Sequence, residues 1–211
     1  SFVTGVGRSG RRRCPGDMKI HLNAKDALIV VDVQVDFLPG GSLAVPNGEQ
    51  VIPPLNSYIK RFSQQGLPVF FTRDWHCSQH CSFRENGGQW PPHCKADTPG
   101  AQFAPNLLLP QNNRYILSKG AKQEADAYSG FQETPLLELL HEQGIQRVFI
   151  GGIATEYCVR ATVIDALNSG FASMLLADAI QGVGANPGDM ETAVEQMLAG
   201  GAVALTMEDF S

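Results

Sequence analysis

The chain has 211 residues, of which 43% are hydrophobic, and its formal net charge at pH 7 is −5. This length suits one globular domain, and the acidic balance without a long basic stripe argues against a nucleic-acid surface. The longest apolar run, residues 27–31, ends at Asp32 and falls far short of the ~20 residues that cross a bilayer. We therefore expect a protein that binds a small molecule, and neither nucleic acid nor a membrane.

The first 17 residues differ in composition from the rest of the chain. They read SFVTGVGRSGRRRCPGD and lack the apolar core of a signal peptide, although an Arg-rich segment poor in acidic residues is also compatible with organelle targeting. Because Met18 resembles a natural start, we expect residues 1–17 to be a disordered leader or an artificial extension. Residues 18–211 are then the folded domain.

Apolar runs and helical patterns alternate along residues 18–211. Runs without strict polar alternation predict strands at residues 27–31, 68–72, 114–117, 148–150, 172–177 and 202–206. Apolar residues at helical spacing predict helices at residues 53–65, at 135–143, after Thr155 and at 190–198. This alternation predicts a doubly wound α/β fold, in which helices cover both faces of a mostly parallel sheet.

Residues 74–113 break this alternation. The segment is rich in Gly, Pro, His, Cys and Gln and shows little periodicity. A segment of this length inside a compact domain is usually functional or disordered. Its aromatic residues, among them Trp75, Phe83, Trp90 and Phe103, favour an ordered loop.

Chemically active side chains follow four of the predicted strands. In an open parallel sheet, ligands bind beyond the carboxyl ends of the strands, which is where Asp32, Asp74, Lys119 and Cys158 fall. Cys158 lies in the first turn of its helix, where the helix dipole favours a nucleophilic thiolate. Asp32 could serve as its base, and Lys119 could stabilise negative charge. Taken singly, these residues also fit ordinary roles: a buried core cysteine, a turn aspartate and a surface lysine.

A second group of residues has the composition of a metal site. Asp74 and His76 are two positions apart, so both side chains point the same way in an extended segment, and His93 follows two stiffening prolines. One carboxylate and two imidazoles suit Zn, Fe or Mn with open positions for a ligand. His80 is a candidate further ligand. The plainer alternative is that these are surface histidines of a loop.

The cysteines of the same loop allow another interpretation. Cys77, Cys81 and Cys94 could form a structural zinc site, but they lack the paired C-x-x-C spacing typical of such sites. The chain has five cysteines, an odd number without a regular framework. That pattern predicts reduced thiols in a cytoplasmic protein.

Six motifs in order resemble the nicotinamidase branch of the isochorismatase-like cysteine hydrolases. They are VDVQVDFLPGGSL at 31–43, TRDWH at 72–76, WPPHC at 90–94, SKG at 118–120, YSGF at 128–131 and GGIATEYCV at 151–159. The likeness extends from residue 27 to residue 206 and implies a single isochorismatase-like hydrolase domain. The chain departs from the usual pattern at Val35, Cys77 and Cys81, which are outside the candidate catalytic residues.

The resemblance implies a catalytic triad of Asp32, Lys119 and Cys158. It also implies a cis peptide bond between Ile153 and Ala154, and an oxyanion hole formed by the N–H groups of Ala154 and Cys158. In this scheme Asp32 takes the thiol proton, the thiolate attacks an amide carbon, and water later cleaves the thioester.

The resemblance further implies that Asp74, His76 and His93 bind one divalent metal ion, Zn in the first place with Fe or Mn as alternatives. The metal would hold the nitrogen of a pyridine ring in a small pocket. The residues implied to line that pocket are Phe37, Trp90, Tyr128 and Ile153.

The implied activity is hydrolysis of nicotinamide, a small-molecule amide, to nicotinate and ammonia, as a step of NAD salvage that extends to pyrazinamide. One alternative is a related amidohydrolase that acts on a carbamoyl or ureido compound, although such members generally lack the DWH and PPH pair present here. Another is a non-catalytic isochorismatase-like binding module, which would have a broken triad. A homo-oligomer is compatible with each of these.

Overall fold

The computed structural model describes residues 19–211, so the expectations for residues 1–17 lie outside the described part of the chain. Within that part, strands and helices alternate as predicted. They are β1 Asp26–Val31, α1 Ile52–Gln64, β2 Val69–Asp74, β3 Arg114–Lys119, α2 Leu136–Glu142, β4 Arg147–Ile153, α3 Arg160–Asn168, β5 Ala172–Gln181, α4 Asp189–Ala199 and β6 Val203–Leu205.

The strands form one sheet in the order β3-β2-β1-β4-β5-β6, and each neighbouring pair is parallel. The chain proceeds outward from β1 through β2 to β3, returns to place β4 beside β1, and then proceeds outward on the other side. The strand order therefore reverses between β1 and β4, which is where ligands bind in open α/β sheets. The doubly wound prediction is confirmed, and the described sheet is wholly parallel.

Helices cover both faces of this sheet. Successive side chains of β1 point to opposite faces: Leu28 and Val30 belong to one buried cluster with α1, and Ile29 and Val31 to another with α2, α3 and α4. All six residues of β1 are buried. This explains why the strand reads as a continuous apolar run without polar alternation.

The connection from β4 to α3 is not a regular α-helix. Thr155–Val159 forms a π-helical turn, and α3 begins only at Arg160. The sequence pattern predicted an α-helix directly after Thr155, and apolar periodicity does not distinguish these two kinds of turn. π-Turns are rare and are frequently found at functional sites. Cys158 lies inside this one.

The long segment after β2 is ordered, as its aromatic content predicted. It contains short 3-10 turns at Arg84–Asn86 and Pro99–Ala101, and the side chain of Phe83 is fully buried. Gln34, just after β1, pairs with Phe103 in this segment through an isolated bridge. The segment thus packs against the carboxyl edge of the sheet. None of the helices within residues 19–211 has the length and apolar character that crossing a membrane requires.

Candidate active site

The strand register brings the polar strand ends together. Asp74 and Lys119 are partners at the ends of β2 and β3. Asp32 follows β1 directly, and its N–H donates to the carbonyl of Thr72 on β2 at 3.1 Å. Asp32 has a φ of +50°, a left-handed conformation that Asp adopts more readily than most other residues. Cys158 joins this group from the turn that follows β4.

Lys119 lies at the centre of the group. Its Nζ is 2.8 Å from Asp32 Oδ2, 2.5 Å from Asp74 Oδ1 and 3.4 Å from Cys158 Sγ. The second oxygen of Asp32 accepts a hydrogen bond from the Thr72 hydroxyl at 2.8 Å. Lys119 is 1% exposed, so the plainer interpretation of a surface lysine is wrong.

Burial and the neighbouring charges shift the pKa values of Lys119, Asp74 and Asp32. Burial disfavours the ammonium of Lys119, but Asp32 and Asp74 outweigh burial and raise its pKa well above the ordinary value. Burial likewise acts to raise the pKa of Asp74, yet Lys119 and His76 together lower it below its usual range. For Asp32, burial exceeds the opposing effect of Lys119, so the pKa of this carboxyl is raised. Asp32 therefore has a higher proton affinity than an exposed aspartate, as a general base requires.

The surroundings of Cys158 oppose ionisation of its thiol. Burial, followed by the charges of Asp32 and Asp74, raises the pKa of Cys158 well above its ordinary value, although Lys119 acts to lower it. One oxygen of each carboxylate and the Cys158 sulfur lie within 4.8 Å of one another. Burial and two nearby negative charges thus act against the helix dipole, which we expect from the sequence to favour the thiolate. Forming the thiolate requires transfer of the proton to a base.

Asp74, His76 and His93 form the second part of the site. The Nε2 atoms of His76 and His93 lie 3.5 Å and 3.8 Å from Asp74 Oδ2. Ligands bound tetrahedrally at 2.0–2.1 Å from zinc are roughly 3.3 Å apart, so these three donors have nearly the spacing of a metal site. All three residues are buried. The surface-histidine alternative is therefore wrong.

Backbone carbonyls orient both imidazoles. Nδ1 of His76 lies 2.8 Å from the carbonyl of Gly120, and Nδ1 of His93 lies 2.8 Å from that of Pro91. A carbonyl only accepts, so each Nδ1 carries a proton, and each Nε2 is the ring atom that faces Asp74 and is placed to bind a metal ion once it is deprotonated. Gly120 has a φ of +65°, and a Cβ there would lie 2.6 Å from His76 Cε1. Only glycine fits this position beside the ring. The donor set thus fits one divalent metal ion.

His80 stacks on His76, with ring centroids 3.9 Å apart, and is close enough to share an ion with His76 and Asp126, but it does not belong to the group of Asp74, His76 and His93. Its Nδ1 accepts the Ser82 N–H at 3.2 Å, and its Nε2 lies 3.1 Å from the Ala125 carbonyl. With Nδ1 accepting, Nε2 carries the proton and donates to Ala125. Both nitrogens are therefore engaged within the protein, so the structure does not support His80 as a further ligand.

The loop cysteines do not form the alternative zinc site. Cys77, Cys81, Cys94 and Cys158 are all free. Within residues 19–211, the groups of donors close enough to share a metal ion contain none of Cys77, Cys81 and Cys94. Cys94 is instead fixed through its backbone, whose N–H donates to Asp36 Oδ2 at 2.8 Å.

A pocket of about 400 Å³, including its mouth, opens onto both parts of the site. Its lining contains the predicted Phe37, Trp90, Tyr128 and Ile153, together with Leu43, Val45, Asp74, His93, Ala154, Tyr157, Cys158 and Val183. The indole N–H of Trp90 donates to the Tyr128 hydroxyl at 3.1 Å, which fixes these two rings relative to each other. The pocket therefore presents aromatic and aliphatic walls with the thiol and the donors of the metal group at its polar side.

The peptide bond between Ile153 and Ala154 is cis, as the sequence resemblance implied. Ala154 is extended and directly precedes the π-turn. Ala154 and Cys158 line the same pocket. Their backbone N–H groups are the candidates for stabilising negative charge on a bound carbonyl oxygen.

Sequence reasoning missed Gln34 and four residues of the pocket lining, which are Leu43, Val45, Tyr157 and Val183. Gln34 is fully buried; its Oε1 accepts the Asp74 N–H at 2.8 Å, and its Nε2 donates to the carbonyls of Asp74 and Ala101 at 2.8 Å and 2.9 Å. A lone glutamine between two valines gives no sign of this role. Tyr157 and Val183 line the pocket, and only their positions beside Cys158 and beyond β5 could have indicated it.

A parallel α/β sheet with a buried cysteine, aspartate and lysine at its switch point defines the class of cysteine hydrolases. Residues 26–209 match the Isochorismatase domain family. The chain is 34% identical over 205 residues to a nicotinamidase of Escherichia coli, an alignment that covers 87% of this chain and 96% of that protein. The chain therefore belongs to the isochorismatase family.

Solved structures agree with this assignment. A pyrazinamidase of Pyrococcus horikoshii in complex with zinc is 48% identical, has a TM-score of 0.83, and is matched over 87% of this chain and 99% of that chain. PnC1 of L. infantum in complex with nicotinate is 35% identical with a TM-score of 0.83, over 92% and 99% of the two chains.

Proposed function

We propose that this protein is a nicotinamidase that hydrolyses nicotinamide to nicotinate and ammonia in NAD salvage and also acts on pyrazinamide. The observation that carries the proposal is that Cys158, which contacts Lys119, and the metal-site residues Asp74 and His93 line one pocket. A similar protein of Escherichia coli is a nicotinamidase, and PnC1 of L. infantum was solved with nicotinate. These likenesses support the same substrate here.

Asp74, His76 and His93 would hold one divalent metal ion, for which zinc is our first assignment. When bound, this ion supplies a Lewis-acidic position for the pyridine nitrogen. The pyrazinamidase of Pyrococcus horikoshii was solved with zinc, which supports the choice. Phe37 packs against His93 with ring centroids 5.7 Å apart, so it extends the ring-binding wall from the metal group.

Asp32, Lys119 and Cys158 would perform the hydrolysis. Asp32 takes the Cys158 proton, the thiolate attacks the amide carbon, and the N–H groups of Ala154 and Cys158 donate to the resulting oxyanion. Asp32 then returns the proton to the departing ammonia. The same carboxylate then deprotonates a water that attacks the thioester carbon. The C–S bond breaks, the acid product leaves, and the proton on Asp32 returns to the departing Cys158 thiolate. Lys119 remains charged throughout, because its raised pKa keeps the ammonium protonated beside both carboxylates.

Ammonia release by the full chain tests the proposal. The protein is stripped with a chelator, reloaded with Zn, Fe or Mn, and assayed with nicotinamide, pyrazinamide and a panel of carbamoyl and ureido compounds. We expect turnover of the two ring amides that depends on metal. Turnover of only the carbamoyl or ureido compounds would favour the related amidohydrolase, and no turnover of any compound would favour a binding module.

Cys158→Ala tests the nucleophile. We expect loss of turnover with unchanged fold and metal content. Cys81→Ala is the matched control, since Cys81 is a free, partly exposed cysteine outside the pocket lining. Substantial residual activity of Cys158→Ala would contradict the assigned role.

A further inference from the structure

Glu156 is a buried carboxylate that the proposed reaction does not use. It lies in the π-turn two residues before Cys158 and is 6% exposed. None of the ion pairs within residues 19–211 includes it. A buried charge without a cation is costly unless hydrogen bonds compensate for it.

Two backbone N–H groups supply that compensation. The Val183 N–H donates to Glu156 Oε1 at 2.8 Å, and the Gly184 N–H donates to Oε2 at 2.9 Å. Each oxygen thus accepts one charge-assisted hydrogen bond from the loop that follows β5, a strong class of contact. The carboxylate joins this loop to the turn that carries the nucleophile.

Gly182 shows how closely the two segments approach. A Cβ at this position would lie 2.6 Å from Glu156 Oε1 and 2.6 Å from Met190 Cγ. A larger residue at this position would require the Glu156 carboxylate and the Met190 side chain to shift. The next residue, Val183, places its side chain in the lining of the substrate pocket.

We propose that Glu156 is a positioning residue for substrate specificity, whose carboxylate holds Val183 in the pocket wall at a fixed distance from Cys158. Tyr157 and Cys158, which follow Glu156 in the chain, line the same pocket as Val183, so both joined segments contribute residues to the substrate pocket. The two hydrogen bonds from Val183 and Gly184 to Glu156, here called the clamp, position the pocket wall and take no part in proton transfer. Loss of the clamp therefore affects ring binding more than the chemical step. The kinetic part of this inference rests on the proposed function.

Hydrogen exchange tests the clamp without relying on activity. In Glu156→Gln an amide NH2 replaces one acceptor oxygen, so one of the two backbone N–H groups loses its partner. We expect the amides of residues 183 and 184 to exchange about tenfold faster, as a loss of about 1.4 kcal/mol would produce. Glu195→Gln is the matched control, because it removes the same charge from an exposed position on α4. Exchange that is unchanged in Glu156→Gln would overturn the proposal.

Steady-state kinetics test the consequence for substrate. We expect Glu156→Gln to raise KM for nicotinamide about tenfold, with kcat within about threefold, and to reduce discrimination against 5-methylnicotinamide. Val183→Ala should act similarly, and the double variant should be little worse than either single variant because both changes affect one wall. Glu156→Asp, which keeps the charge, should recover part of the KM.

The two hypotheses fail in different ways. A wild-type protein without nicotinamidase activity would refute the proposed function, and the exchange experiment would still test the clamp. With an active wild type, fully additive effects in the double variant, or a loss confined to kcat, would overturn the positioning role.

Discussion

Lys119→Met removes the cation from a buried cluster of charges and should be among the most damaging single changes in this protein. The side chains of Lys119 and Asp32 are 0% exposed and that of Asp74 is 7% exposed. Methionine fills a similar volume, so the substitution removes the charge with little change in packing. Asp32 and Asp74 then share a buried site without a partner.

The size of the effect follows from these distances. With an effective dielectric constant of ~20, unit charges about 2.8 Å apart attract by roughly 6 kcal/mol, and desolvation of the ions offsets part of this gain. Removing one partner of a buried pair typically costs about 3–5 kcal/mol, because the other charge is left uncompensated. We expect Lys119→Met to lower the free energy of unfolding by that amount, and to abolish turnover.

The loss should depend on pH in a defined direction. In the folded variant, oxygens of the two carboxylates lie within 4.8 Å of each other, so their repulsion raises the pKa of one carboxyl group. The folded state then keeps a proton that the unfolded state releases above about pH 4. The stability of the variant therefore falls as pH rises. In the wild type, the stabilising contribution of Lys119 is fully present below about pH 10.4 and is lost only as pH rises through its higher folded pKa. The difference between the two proteins should thus widen from pH 5 to pH 8.

Urea denaturation of both proteins in the presence of a chelator, at several pH values, measures these quantities. Lys122→Met is the control, since the Lys122 side chain is 71% exposed and its ion pair with Glu133 should contribute no more than about 1 kcal/mol. A loss below about 1 kcal/mol in Lys119→Met, or a loss that is constant with pH, would refute the reasoning.

Two further substitutions separate the parts of the site. Asp32→Asn should reduce kcat/KM about 10²–10⁴-fold by removing the base. It should also slow alkylation of Cys158 by iodoacetamide at pH 7, because burial still opposes the thiolate and the base that takes its proton is gone. Unchanged or faster alkylation, detected by mass spectrometry, would count against this account. His76→Ala should weaken zinc binding by more than about 100-fold and raise KM more than it lowers kcat, since in the proposed reaction the metal anchors the ring. Metal titration and steady-state kinetics check this, and an unchanged KM would contradict the anchoring role.

The fold was largely predictable because buried parallel strands have a simple pattern. All the strands were found from their apolar runs, but β5 was predicted to end at residue 177 and continues to Gln181. Asp178 interrupts the apolar pattern there. Its carboxylate accepts hydrogen bonds from the Tyr58 hydroxyl at 2.7 Å and the Met207 N–H at 3.0 Å, contacts that local sequence does not encode.

The members of the site were predictable from strand ends, whereas their electrostatics were not. Local sequence placed Lys119 at the end of a strand but could not show whether it is buried. The register of β2 with β3 decides this, because it places Lys119 beside Asp74. The pKa of Cys158 is another such property, since it depends on carboxylates that approach from other strands.

Asp74 joins the two parts of the site. Its Oδ1 contacts Lys119, and its Oδ2 faces the Nε2 atoms of His76 and His93. Because Lys119 also contacts Asp32, the base and the ring anchor belong to one ionic network and keep a fixed separation only while Asp74 is ionised. The lowered pKa of Asp74 maintains that charge throughout the neutral range. In the proposed reaction, proton transfer at Cys158 and positioning of the ring would therefore depend on the same carboxylate, although it contacts neither the scissile bond nor the nucleophile's proton.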